Sequence, residues 1–134
     1  MPDRGFKPTA RQTLLRILLP MLGTVFCLRL YLHLVRVQHI YPGGHLVHHL
    51  FLGVLIVIPA AFILAFGADG RVLAFLAPVA LGIGSGMILD EVTYLVATNA
   101  SDADYVSGVS LGGSVAFVSL AAILLVGIYW ARRD

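Results

Sequence analysis

Charged residues are scarce in this sequence. Its 134 residues include 9 Lys and Arg and 7 Asp and Glu, so that charged residues make up 12% of the chain and hydrophobic residues 59%. Soluble domains carry roughly 25% charged residues, because their surface faces water. This composition excludes a soluble enzyme, a disordered tail and a nucleic-acid-binding module. The pI near 9.0 comes from basic residues beside apolar runs, where membrane topology explains them, so we expect no nucleic-acid partner.

Cysteine is nearly absent as well. The single Cys27 lies inside an apolar run, which excludes a disulfide framework and a cysteine-rich zinc site. At this length we expect one domain, residues 1–134. The mean hydropathy of +0.92 then indicates that this domain is integral to a membrane.

Long apolar runs are what the sequence has instead. A membrane-crossing helix needs about 20 mostly apolar residues. Four stretches meet this requirement: residues 14–37, 45–66, 72–96 and 105–130. Short connections make consecutive helices antiparallel neighbours, so the sequence predicts an all-α protein, an up-down bundle of four transmembrane helices.

Basic residues predict how this bundle is oriented. In a four-span arrangement most of them fall on one side of the membrane: Arg4, Lys7, Arg11, Arg16, Arg71, Arg132 and Arg133. The positive-inside rule then places both termini in the cytoplasm. We therefore expect a multi-pass protein of the plasma membrane, which in bacteria is the inner membrane, with the lipid bilayer as its first partner.

Polar residues of three spans are predicted to meet near the outer face. Asp90 lies 18 residues beyond Val72, roughly 27 Å along the third helix. Arg29 lies 15 residues beyond Leu14, roughly 22 Å along the first. The second span begins at the same level with His45. Ionisable groups at membrane depth cost several kcal/mol, which makes this layer the candidate functional site.

The histidines and acidic residues of this layer suggest a metal site. His45, His48 and His49 are spaced so that two imidazoles project from one helical face, the minimum for chelating a metal. Asp90 and Glu91 are the carboxylates that would complete a zinc or iron site. Neighbouring helical residues diverge, so one would be a ligand while the other orients a histidine or acts as general base. Two simpler interpretations stay open, namely interfacial histidines without metal and carboxylates that only form salt bridges.

A basic stripe on the first span faces the same layer. Arg29, His33 and Arg36 follow i, i+4, i+7 spacing and share one side of the helix. They could pair with the acidic residues or bind an anionic headgroup of a substrate. Tyr94, one turn beyond Asp90, could also hydrogen-bond within the site.

Glycine pairs predict close helix packing. Gly82 and Gly86 are four residues apart, as are Gly108 and Gly112 in the fourth span. Small residues at this spacing let membrane helices approach closely. Such faces could join helices of one chain, form a homo-oligomer or dock a larger membrane complex.

Two resemblances rest on these motifs. His45-x-x-His48-His49 resembles the HxxHH box of membrane fatty-acid desaturases and hydroxylases, but those enzymes bind iron with several histidine boxes and this chain has 5 histidines. The histidine-rich start of the second span and the Gly82-x-Gly84-x-Gly86-x-x-x-Asp90-Glu91 run together resemble a group of small prokaryotic four-helix integral membrane proteins. That resemblance implies a shared site and no particular reaction.

Three functions fit the pattern. The first is a metal-dependent hydrolase with a lipid-like substrate, in which Asp90 or Glu91 ligates the metal or moves protons. The second is an accessory subunit of a larger membrane complex. The third is a proton- or ion-coupled transport component, although the inner halves of spans two and three are almost entirely apolar.

Overall fold

The computed structural model describes residues 8–35, 48–67, 70–99 and 101–132. Within these ranges the chain is helical and contains no β-strand. Its helices are α1 (Ala10–Leu34), α2 (His49–Phe66), α3 (Arg71–Ala97), the short α4 (Asp102–Tyr105) and α5 (Gly108–Ala131). The four long helices are each long and apolar enough to cross a membrane, which confirms the prediction of four helices of spanning length.

Helix ends differ from the predicted limits where polar groups cap the backbone. α1 begins four residues early, because the side chains of Thr9 and Gln12 accept each other's backbone N–H groups in a capping box. The fourth span was expected from residue 105. The long helix α5 instead begins at Gly108, because the Ser107 side chain accepts the N–H of Ser110 and separates α5 from α4.

The central element of the fold is α3. The helices α1, α2 and α5 each pack against α3, and among the described helices α2 packs against α3 alone. Burial follows this arrangement, since 33% of the most apolar part of α3 is buried against 6% in α1 and 11% in α2 and in α5. In the described part of the chain, the bundle is therefore three helices packed around a fourth.

Close packing of α1 on α3 depends on two glycines. A Cβ atom on Gly82 would overlap the backbone carbonyl of Ile17, and one on Gly86 would lie 2.7 Å from the carbonyl oxygen of Met21. Backbone atoms cannot move aside as a flexible side chain can. The Gly82 and Gly86 pair thus contacts a helix of the same chain, in the manner of small-residue faces in membranes.

The opposite side of α3 uses a different glycine. A Cβ on Gly84 would lie 2.7 Å from the carbonyl oxygen of Gly53 in α2, and a Cβ on Gly53 would lie 2.7 Å from that of Gly84. The alternation of glycines at positions 82, 84 and 86 therefore lets α3 receive α1 on one side and α2 on the other.

Glycines of α5 divide into a packed and an open set. A Cβ on Gly113 would overlap the Thr93 side chain of α3. Gly108 and Gly112 have nothing within 4 Å of such an atom and are exposed. The predicted Gly108 and Gly112 face therefore stays available on the outside of the described chain.

A proline in α3 is compensated by an arginine of α1. Pro78 has no N–H, so the helix cannot satisfy the Ala74 carbonyl four residues earlier. Arg16 Nη1 donates to that oxygen at 3.2 Å. The same guanidinium lies 4.9 Å above the Phe75 ring. This contact joins the beginnings of α1 and α3, whereas Arg29 joins their ends, so the two helices run in the same direction.

Candidate functional site

Most buried polar residues lie at one end of the bundle. There the end of α1, the start of α2, the end of α3 and the segment from α4 into α5 meet. We call this group the polar cluster; it comprises Arg29, His48, His49, Asp90, Glu91, Tyr105, Ser110 and Ser114.

Asp90 is the centre of the polar cluster and is fully buried. Its Oδ1 atom accepts hydrogen bonds from Arg29 Nε at 2.5 Å and from Ser114 Oγ at 2.9 Å. The Tyr105 hydroxyl donates to its Oδ2 atom. A buried carboxylate is tolerated when its charge is paired and it accepts hydrogen bonds; Arg29 pairs the charge of Asp90, and both of its oxygens accept a hydrogen bond.

Arg29 ties three parts of the chain together. Its Nη1 atom donates to the Tyr105 carbonyl at 2.7 Å, and its Nη2 atom donates to the Asp90 carbonyl at 2.9 Å and to Ser110 Oγ at 3.1 Å. The guanidinium carbon lies 4.4 Å from the centre of the Tyr105 ring. Of the two roles that the sequence leaves open for Arg29, the structure shows the pairing with an acidic residue, and binding of a substrate headgroup stays a prediction.

Glu91 determines where α2 begins. It is 2% exposed, its Oε1 atom lies 2.5 Å from His48 Nδ1, and its Oε2 atom accepts the N–H of Leu50 at 2.7 Å. A carboxylate at a helix N-terminus satisfies a backbone donor and complements the helix dipole. The second span was expected to start at residue 45; the described helix starts at His49, with His48 as its extended N-cap. His48 is therefore not part of the α2 helix itself. Because His45 lies outside the described residues, the expectation that His45 and His49 (or His48) project from one helical face stays a prediction.

His49 lies between the two carboxylates. Its Nδ1 atom is 3.3 Å from Glu91 Oε2, and its Nε2 atom is 3.4 Å from Asp90 Oδ2. The Nε2 atom is buried and has no hydrogen-bond partner among the described residues. A buried polar atom without a hydrogen bond is rare in folded proteins, and the neighbour of Nε2 in the described part of the chain is the Asp90 carboxylate.

Aromatic rings pack beside the polar cluster. Tyr94 and Tyr105 are buried and meet edge to face at 5.3 Å, and His48 lies 6.2 Å from the Tyr94 ring. Tyr105 also meets the His49 ring edge-on at 5.9 Å. Burial and the neighbouring Asp90 charge raise the pKa of the Tyr105 phenol, so it remains a proton donor. The Tyr94 ring contributes to this group, and its expected hydrogen bond within the site stays a prediction.

The predicted site residues fall into three groups. The structure brings together Arg29, His48, His49, Asp90 and Glu91. His33 is exposed on α1 and lines, with Arg29, a cavity of about 310 Å³ beside α5. The remaining predicted residues, His45 and Arg36, lie outside the described residues.

The predicted metal site is not complete in the part of the chain that the structure describes. No group of three His, Cys, Asp or Glu side chains is arranged there to hold a metal ion. His49 and Asp90 supply one imidazole and one carboxylate, and His45 falls outside the described ranges. Zinc or iron binding therefore stays a prediction.

Three members of the polar cluster were missed in the sequence. Tyr105 was placed at the start of the fourth span, and Ser110 and Ser114 were read as parts of an apolar helix. Both serines are fully buried. Their i, i+4 spacing is the one available signal, because it puts two hydroxyls on one face of α5.

Comparisons with known protein families, curated proteins and solved structures found no match to this chain. The function must therefore be argued from the polar cluster itself.

Proposed function

We propose that the polar cluster is the site of a metal-dependent hydrolase that acts on a lipid-like, anionic substrate. One observation carries the proposal: His49 Nε2 is buried, lacks a hydrogen-bond partner among the described residues and lies 3.4 Å from Asp90 Oδ2. Two ligands bound to tetrahedral zinc at its usual bond lengths are about 3.4 Å apart. The spacing of these two atoms therefore suits two ligands of one ion.

The surroundings of His49 support this assignment. Histidines that bind metals usually direct their other ring nitrogen at a carboxylate, which fixes the tautomer and orientation of the ring. Glu91 Oε2 lies 3.3 Å from His49 Nδ1 and occupies that position. Asp90 Oδ2 can accept the Tyr105 hydroxyl with one lone pair and offer the other to an ion. We assign the third protein ligand to His45, with His48 as the alternative.

Each residue then has a chemical task. A bound zinc or iron ion would supply an activated water molecule at neutral pH. Glu91, with His48 at 2.5 Å, is the group that would receive the proton from that water. Arg29 positions Asp90 through its charge-assisted hydrogen bond. The cavity beside His33 would contact the apolar part of the substrate. His33 and Arg36 would contact its anionic group.

The proposal includes a location for this chemistry. Basic residues near the opposite end of the bundle favour a cytoplasmic position for both termini, so the polar cluster would face the outer leaflet of the plasma membrane. A substrate that combines an anionic headgroup with acyl chains would reach it directly from that leaflet.

Metal analysis of the purified full chain tests the proposal. We expect about one zinc or iron ion per chain, loss of that ion when His45→Ala and His49→Ala are combined, and retention in the matched control His33→Ala. Hydrolysis of lipid phosphoesters or esters should disappear with the metal. A wild-type protein without metal would contradict the proposal. Bound metal without turnover of such lipids would contradict the proposed hydrolase activity but would support the proposed metal site.

A second function has support from a different observation. The Arg29–Asp90 pair and its serine and tyrosine partners are satisfied within one chain, and the Gly108 and Gly112 face is open. Both features suit an accessory subunit that docks a larger membrane complex. Purification in mild detergent should then recover a stoichiometric partner, and bulky residues at Gly108 and Gly112 should release it.

A further inference from the structure

A second cavity lies at the end of the bundle opposite to the polar cluster. It is about 510 Å³ in volume and lies between the beginnings of α1 and α3. Its lining combines polar and apolar side chains: Gln12, Arg16, Arg71, Val72, Phe75 and Leu76. The described lining includes two arginines and no acidic residue.

Two arginines line this cavity. Arg71 is the first residue of α3, and Arg16 reaches the cavity from α1. Arg16 is held by the Ala74 carbonyl at 3.2 Å and by the Phe75 ring at 4.9 Å. Because Pro78 leaves that carbonyl without its helical donor, the contact fixes the guanidinium at the cavity. Fixed, planar guanidinium groups are well suited to phosphate oxygens.

Three apolar side chains of the cavity lining lie along α3. Val72 and Leu76 are one turn apart on the helix, with Phe75 beside them. Their exposed fractions are 68%, 50% and 49%. The start of α3 therefore offers a basic group, and the turns after it offer exposed apolar side chains. This order suits an amphiphilic molecule whose anionic group lies at the membrane surface and whose apolar part lies in the bilayer.

We propose that this cavity binds one anionic phospholipid. The phosphate would lie against Arg16 and Arg71, with Gln12 donating to it, and an acyl chain would follow Val72, Phe75 and Leu76 along α3. The predicted orientation places this lipid in the cytoplasmic leaflet. The site is separate from the polar cluster, and its failure would leave the proposed hydrolase unaffected.

Native mass spectrometry of the full chain in detergent tests this site. We expect phosphatidylglycerol to stay bound to the wild type while phosphatidylcholine, which has no net charge, dissociates. Arg71→Gln should weaken phosphatidylglycerol binding about fivefold, because one basic residue at an anionic membrane surface contributes about that factor. Arg11→Gln is the matched control, since Arg11 precedes Gln12 on α1 but does not line the cavity; binding to this variant should be unchanged.

Two further arms make the test decisive. Glycerol phosphate and inorganic phosphate, which lack acyl chains, should fail to displace the lipid; displacement by either would assign the site to a free phosphate and overturn the lipid proposal. Equal binding of both phospholipids by the wild type, or equal weakening in Arg71→Gln and Arg11→Gln, would also overturn it. Thermal unfolding of the lipid-free variants should match the wild type, which shows that any loss of binding is not a loss of folding.

Discussion

Some residues of the polar cluster can be predicted from the sequence, and others cannot. Arg29, Asp90 and Glu91 are charged residues inside apolar runs, and the cost of burying charge marks them at once. Tyr105, Ser110 and Ser114 carry no such mark, because tyrosine and serine are common in membrane helices. The role of Ser110 and Ser114 depends on which α5 face meets Asp90, and that follows from the packing of Gly113 against α3.

The buried Arg29–Asp90 pair gives the first prediction. Removing one partner leaves an uncompensated charge, so Arg29→Met and Asp90→Asn should each lower the free energy of unfolding by about 3 to 5 kcal/mol. The double variant should lose less than the sum of the two single variants. Reversible unfolding in detergent measures all three; strictly additive losses would show that the two side chains do not interact.

The sequence predicts the number of long helices correctly, but it predicts the residues at which they begin and end less well. Four apolar runs give four long helices, since the bilayer thickness fixes the length that a span needs. The start of α2 could not be read locally. It depends on Glu91, which lies 41 residues beyond Leu50 in the sequence and accepts its N–H group.

Glu91 provides a prediction for the start of α2. Glu91→Ala leaves the Leu50 N–H without its acceptor, so the first turn should open more easily by about 1 to 3 kcal/mol. Hydrogen exchange of the Leu50 amide should become faster by about fivefold or more. Glu91→Gln keeps an acceptor oxygen and should have a smaller effect. Unchanged exchange in Glu91→Ala would contradict the capping role.

The glycines of α3 and α5 offer a matched comparison. Gly82→Ala places a Cβ onto the Ile17 carbonyl and should force α1 away from α3, at a cost of about 1 to 3 kcal/mol. Gly108→Ala meets nothing within 4 Å and should be neutral or slightly stabilising. Thermal unfolding compares the two variants directly. Similar midpoints for both would mean that α1 does not pack on Gly82.

The whole molecule is organised around α3, and this was not visible in the sequence. Composition and span lengths predict a helical membrane protein, but they leave open which helix lies in the middle. The alternating glycines at 82, 84 and 86 decide it, since they allow backbone contacts on two sides of one helix. The polar cluster lies at the end of the bundle where α1 and α3 end and where α2 and α5 begin.

Membrane orientation is testable on the whole chain. The basic residues predict that Thr9 and Ala131, next to the two ends of the bundle, face the cytoplasm. In a Cys27→Ser background, a cysteine at either position should react with a membrane-impermeant reagent only after cells are opened. Labelling of both positions in intact cells would reverse the orientation and place the polar cluster at the cytoplasmic face.

The proposed metal site is tested most directly by anomalous diffraction at the zinc edge, from crystals of the full chain grown with zinc. We predict one peak within about 2.0 to 2.2 Å of both His49 Nε2 and Asp90 Oδ2, and its absence in His49→Ala crystals. A map without a peak, in which His49 Nε2 is hydrogen-bonded to a protein atom, would contradict the account.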